Sequence, residues 1–170
     1  ETLAPNIKII TPIRDQQLTR QEEITYLKNN GIDLSWEKAK YSINKGLWGT
    51  SVGGAETLTS NKSLPETAYP SPLNRKEEEK VKITFFKGEV IAVNGQKLLP
   101  HELIRDLNDR ASQFAIGRDI HIGDTIVGIK GRVGFEAAAA MIIIKAHHLL
   151  EKHTLTKWQL QHKDYLSSFY

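Results

Sequence analysis

The chain contains no cysteine, which excludes disulfides and thiolate metal sites and is compatible with a reducing cytoplasm. It has no signal-peptide pattern at its start and no apolar run near the roughly 20 residues that a membrane-spanning helix needs. A soluble, cytoplasmic protein without membrane partners is the expectation. Charge of one sign is also scarce. The 23 Lys and Arg and 20 Asp and Glu leave a formal +3, and the densest run, Arg75–Lys80, mixes both signs. No basic stripe carries interleaved aromatics, so nucleic acid is not an expected partner. The phosphate-loop patterns GxGxxG and GxxxxGK[ST] are missing. His147, His148, His153 and His162 follow neither HExxH nor a cysteine–histidine spacing, and no metal site is expected. Spacing alone assembles no Ser–His–Asp set and no carboxylate pair, so no catalytic residue is assigned.

What remains is adequate for one domain with a sizeable core in 170 residues. Residues 7–10 form a short apolar run that reads as a buried strand. Thr19 followed by Glu22 reads as a capping box that opens a helix ending at Asn29-Asn30-Gly31. Residues 36–51 mix two tryptophans, a tyrosine and hydroxyls in an irregular loop, where Trp48 is expected to plug the core. Residues 56–80 hold Pro65, Pro70 and Pro72 and read as an extended connector. Val81, Ile83 and Phe85 alternate with polar residues. Lys87-Gly88 and Asn94-Gly95 then turn the chain, which predicts an antiparallel hairpin and a third strand. Pro100 opens a helix with apolar residues at 103, 104, 107, 111 and 114.

The stretch 117–153 dominates the rest. Residues 120–122 and 125–129 predict a hairpin, with residues 126–130 as its second strand. Gly131–Gly134 are expected to break that strand, and a helix follows from Phe135. Its block from Ala137 to Ile144 is apolar on every face and is expected to lie in the core. Two readings of the break are open. The glycines make a tight corner, or, with Arg132 and the free N–H groups of a helix start, they hold an anion. A last helix begins at Thr154 or Thr156 and runs to the final residue. The fold expected is α+β, an antiparallel sheet flanked by helices with a C-terminal helix extending away.

Several ordered segments together resemble the C-terminal half of the argininosuccinate synthase family. They are residues 3–15 (LAPNIKIITPIRD), 41–51 (YSINKGLWGTS), 81–98 (VKITFFKGEVIAVNGQKL), 101–120 and 127–150. The resemblance implies that residues 1–170 are that enzyme's C-terminal synthetase and oligomerisation domain, with the N-terminal ATP-binding domain absent. It implies a ligase of arginine biosynthesis that joins citrulline to aspartate, with ATP and magnesium bound mainly by the missing domain, and a homotetramer when full-length. Ser42 and Ser51 fall on the family's citrulline-binding serines. Two further positions depart from its pattern: Gly123 stands where a glutamate is common, and Phe135 where a tyrosine is common. A carboxylate suits the substrate's α-ammonium, and glycine in its place removes a charge and opens space. An α-N-acylated citrulline is therefore a further expected substrate, unless Asp124 or a neighbour substitutes. The isolated chain is expected to be inactive. A non-catalytic oligomerisation domain and a small anion-binding module built on Arg132 are the alternatives.

Overall fold

A computed structural model describes residues 3–32, 40–124 and 130–169. The chain divides into two units, residues 1–40 and 41–170. In the first, α1 (Pro12–Gln16) precedes α2 (Arg20–Asn29). The start of α2 follows the expected capping box. The Thr19 hydroxyl accepts from the Glu22 N–H, and the Glu22 carboxylate accepts from the Thr19 N–H at 2.7 Å. Two otherwise orphaned helix donors are thereby satisfied. The bond from the Thr19 backbone also holds the Glu22 carboxyl below its ordinary range. Gly31, at φ +77°, ends the helix. The apolar run at 7–10 is not a buried strand. Ile7, Ile9 and Ile10 are exposed, and no strand among the described residues pairs with them. A β-branched run becomes a strand only when a second strand completes its hydrogen bonds.

The second unit opens with a hairpin, β1 (Tyr41–Lys45) and β2 (Thr50–Gly54). Trp48 stands at its turn and is 55% exposed, so it does not plug the core; Trp36 lies outside the described residues. The connector is extended apart from two short 3-10 turns, at Ala55–Leu58 and Glu66–Ala68. Next come β3 (Ile83–Phe86), β4 (Glu89–Val93) and β5 (Gln96–Lys97), an antiparallel meander. Lys87-Gly88 and Asn94-Gly95 all take positive φ, as tight hairpin turns of this twist require. Helix α3 (Pro100–Ala111) then buries Leu103, Ile104, Leu107 and Ala111 of the predicted stripe, whereas Phe114 falls beyond it in a 3-10 turn and is half-buried.

The stretch after Gly117 departs from expectation. β6 (Arg118–Asp124) pairs residue for residue with β7 (Lys130–Glu136). Residues 126–129 of the expected strand lie outside the described residues. The expected break at Gly131–Gly134 is instead the middle of β7, and α4 begins only at Ala138. The glycines serve close packing within a sheet. Gly131 pairs with Gly123, and a Cβ on Gly134 would meet Leu64 Cδ1 at 2.0 Å. β2 joins β7 on its other side, which gives a four-stranded antiparallel sheet in the order β1-β2-β7-β6.

Two clusters hold this unit together. Val93 from the meander packs with Leu103, Ile104 and Leu107 of α3 and Ala139 of α4. Tyr41 and Val52 of the larger sheet pack with Leu64 and Ala68 of the connector. Asn108 of α3 joins three elements. Its side-chain oxygen accepts from the Ala139 N–H at the start of α4, and its amide donates to the Leu47 carbonyl. The apolar block of α4 is not enclosed all round. Ala138 and Ala139 are buried, whereas Ile144 is 47% exposed.

Helix α5 (Lys157–Ser167) is capped by Thr156 and buries none of its residues. It is tied to α4 by Lys163, which donates to Glu151 at 2.6 Å, while Glu151 also faces His147 at 3.3 Å. The bond from Lys163 lowers the Glu151 carboxyl, and the bond from Glu151 raises the Lys163 ammonium. A lowered carboxyl stabilises above its unfolded value and loses that stabilisation as pH falls through the folded value. A raised ammonium stabilises below its unfolded value and loses it as pH rises through the folded value. Docking of α5 is therefore strongest between those limits. Protection of the α5 amides, taken relative to the intrinsic exchange rate at each pH, should be greatest near neutral pH, should fall at both extremes, and should lose the acid limb in Glu151→Gln.

Candidate functional site

Register places the candidate residues. Asn44 lies opposite Ser51, Ser51 opposite Phe135, and Phe135 opposite Asp119, one row across all four strands. Side chains alternate along a strand. Ser42, two residues from Asn44, and His121 and Gly123, two and four from Asp119, therefore share the face of that row. The opposite face carries Tyr41, Thr50, Val52, Gly134 and Glu136, all buried. The sheet thus has one packed face and one open face, and the open one holds Ser42, Ser51, Phe135 and Gly123 together.

Spacing on that face is set by the ladder. Ser51 and Phe135 are adjacent across strands, about 5 Å apart at Cα. Ser42 and Ser51 are diagonal neighbours, about 7–8 Å apart. Gly123 is one strand over and four residues along from Phe135, about 14 Å away. Ser42, Ser51 and Phe135 form one group, and Gly123 lies at the far end of the face. Gly123 does not leave open space, as its lack of a side chain suggested. The imidazole of His121 lies over it, with Nε2 2.7 Å from where a Cβ would stand. Asp124 sits in β6 opposite Lys130, and its side chain lies outside the described residues.

Sequence reasoning missed three polar residues of this face: Asn44, Asp119 and His121. Their signal is period-two alternation in residues 42–44 and 119–123, readable only once the strand pairing is known. Ser42, Asn44, Ser51 and His121 make no side-chain hydrogen bond among the described residues. Asp119 accepts from the adjacent Ile120 N–H at 2.7 Å. Two hydroxyls, a carboxamide, an imidazole and a carboxylate with a spare oxygen can together meet the charged and neutral polar groups of an amino acid.

Arg132 does not make the anion site considered from the sequence. It lies within β7, six residues before α4, on the packed face. It donates to the carbonyl of Lys62 at 2.9 Å and to that of Glu56 at 3.4 Å, pinning the connector. Its Nε is buried with no partner among the described residues. Arg118 holds the same face further along. Its guanidinium bonds the carboxylates of Glu136 and Glu66 and the carbonyl of Ser71, and lies 4.5 Å over the Tyr69 ring. Burial opposes the charge of Arg118, but those two carboxylates outweigh it and the net shift is upward. Burial pushes the Tyr69 hydroxyl up, with Arg118 opposing. Among the described residues no group of three or more His, Asp or Glu could hold a metal ion. No helix of the described residues is long and apolar enough to cross a membrane.

These features define an α+β domain whose larger antiparallel sheet is packed on one face and polar and open on the other. Residues 41–170, the second unit, match the profile described as the arginosuccinate synthase C-terminal domain. Argininosuccinate synthase of Methanocaldococcus jannaschii is 43% identical over 170 residues, covering 98% of this chain and 43% of the relative. That of Metallosphaera sedula is 39% identical over 171 residues, covering 100% and 44%. That of Pyrococcus furiosus is 38% identical over 172 residues, covering 99% and 42%. The chain belongs to the argininosuccinate synthase family, and it spans less than half the length of these relatives.

Proposed function

We propose that residues 1–170 are the C-terminal part of an ATP-dependent carbon–nitrogen ligase of arginine biosynthesis, working in the cytoplasm. The substrates are citrulline and aspartate, and the products are argininosuccinate, AMP and pyrophosphate. The ureido oxygen of citrulline attacks the α-phosphorus of ATP, and pyrophosphate leaves. The aspartate amine then attacks the ureido carbon, and AMP leaves with that oxygen. A ureido carbon is otherwise a poor electrophile, so activation of its oxygen is what the nucleotide supplies. Among the described residues no cluster of three or more His, Asp or Glu offers magnesium an all-protein site. The nucleotide and its metal are assigned to the rest of the full-length protein.

The observation that carries this reading is the single open sheet face on which Ser42, Ser51 and Phe135 are neighbours. Serine hydroxyls donate to a carboxylate or accept from an ammonium with no fixed charge of their own. Phe135 offers an apolar wall for the methylene chain. In the full-length enzyme, Ser51→Ala should raise the KM for citrulline about tenfold. It should leave the KM for aspartate within about twofold, because that substrate is held elsewhere. A KM for citrulline equal to that of the unmodified enzyme would remove Ser51 from the site. Residues 1–170 alone should form no argininosuccinate.

Assembly as a homotetramer is part of the same proposal. Leu149 of α4 and Trp158, Tyr165, Leu166 and Phe169 of the C-terminal segment are all at least 60% exposed. Apolar surface of that extent favours a covering partner. Sedimentation of the full-length protein should show a tetramer, and replacement of Trp158 and Phe169 by serine should reduce it to smaller species.

A further inference from the structure

We infer that the outer edge of β3 pairs with β3 of a second copy of this chain, an assignment that rests on the homotetramer of the reading above. Dihedral symmetry, the usual form of a homotetramer, needs two different two-fold surfaces, and the C-terminal apolar surface supplies one. Among the described residues β3 is an edge of the three-stranded sheet, in the order β3-β4-β5. The Lys82 carbonyl accepts from the Asn94 N–H at 2.7 Å, and the Lys82 N–H donates to Asn94 Oδ1 at 2.9 Å. Both backbone groups of Lys82 therefore face β4, and alternation turns those of Ile83 to the open edge. The irregularity in this pairing skips Ile91 on β4, so β3 itself runs without an extra residue. The internal stretches outside the described residues attach beside Tyr41 and between Asp124 and Lys130, at the end of the larger sheet away from α4.

Side chains and charge select the occupant and its register. Val81, Ile83 and Phe85 share one face of the strand and, with Ala146, Leu149 and Leu150 of α4, line an open groove of about 300 Å³ beside the edge. Leu149 is 60% exposed and Leu150 40%. A strand added at this edge lays every second side chain over the groove, so the groove fits an alternating apolar strand. β3 is itself such a strand. With a two-fold axis at Lys82, like charges stand directly opposite. With the axis at Val81, Lys82 meets Lys80 of the second copy, and with the axis at Thr84, Val81 meets Lys87. These pairs are unfavourable or mismatched. With the axis at Ile83, the two Ile83 residues exchange their outward backbone bonds. Val81 then stands against Phe85 of the second copy, Lys82 against its Thr84, and Lys87 against its Glu79. A β-branched residue opposite an aromatic is a favourable pair, and the charged contact joins opposite signs. Glu79 already bonds Arg75 and Arg110, so that contact sets register more than strength. Three apolar side chains from each copy then cover both grooves.

The test is disulfide cross-linking and sedimentation of the full-length protein. Residues 1–170 contain no cysteine, so a bridge at this edge is a new one. Lys82 and Thr84 of opposing copies form a non-hydrogen-bonded pair, about 4.5 Å apart at Cα, within reach of a disulfide. Lys82→Cys combined with Thr84→Cys should give a reducible covalent dimer on oxidation, about tenfold more than either single variant, because neither position faces itself. The oxidised double variant should still sediment as a tetramer, which controls for folding. Ile83→Lys should convert the tetramer to a dimer, and adding Trp158→Ser and Phe169→Ser should yield a monomer. No cross-link in a protein that sediments as a tetramer, or a tetramer that survives Ile83→Lys, overturns the pairing, gives the edge to another occupant and leaves the ligase reading standing. A cross-link as strong from Thr84→Cys alone overturns the register. A full-length protein that sediments as a monomer overturns the tetramer and this pairing together.

Discussion

Replacement of Arg118 by alanine should destabilise the chain by about 3–5 kcal/mol, because it strands a buried carboxylate. The Arg118 side chain is 8% exposed and Glu136 is 6% exposed, 2.9 Å apart. Glu66, 56% exposed, is screened by solvent and contributes less. The guanidinium does more than neutralise charge. It bonds two carboxylates and the Ser71 carbonyl from one planar group while its face lies on Tyr69. A lysine keeps the charge and loses that geometry, so Arg118→Lys should still cost about 2 kcal/mol. Urea denaturation of each variant checks both values. Because Arg118 and Glu136 act as a pair, the double alanine variant should cost less than the sum of the singles. Strict additivity would mean that the ion pair contributes nothing.

The second large effect is expected at Gly117. This residue is at φ +79°, and a Cβ there would lie 2.6 Å from both the C and O atoms of Ala137. Those are backbone atoms at the junction of β7 and α4, and they are held in place because the Ala137 N–H donates to the Gly117 carbonyl at 3.0 Å. No flexible side chain can move aside. Gly117→Ala should therefore cost about 3 kcal/mol or more, combining left-handed strain with overpacking. Gly95 separates the two contributions. It has nearly the same φ, +82°, and nothing within 4 Å of a built Cβ. Gly95→Ala should cost only about 1 kcal/mol. Equal losses at the two positions in the same denaturation experiment would show that φ alone governs both.

Local chemistry was legible where a few neighbouring residues decide the outcome. Thr19 with Glu22, Asn94-Gly95 and the apolar stripe of α3 each specify their own geometry, and the elements formed as read. Gly131–Gly134 did not, because a glycine that makes a corner and a glycine that admits a neighbour look alike in sequence. The neighbour that decides the matter, Leu64, comes from the connector, 70 positions earlier in the chain. The run at 7–10 failed for the related reason that strand formation depends on a partner elsewhere. The site divides in the same way. Ser42 and Ser51 came from family likeness, whereas Asn44, Asp119 and His121 emerge only from the register of four strands. The vacancy expected at Gly123 was filled by a residue two positions away, which alternation makes a same-face neighbour.

The measurement that bears most directly on this account is a crystal structure of the full-length enzyme with its citrulline substrate bound. The substrate should lie along the open face of the four-stranded sheet, with the hydroxyls of Ser42 and Ser51 at hydrogen-bonding distance and Phe135 against its methylene chain. Substrate density on another surface, with both serines facing only water, would contradict it.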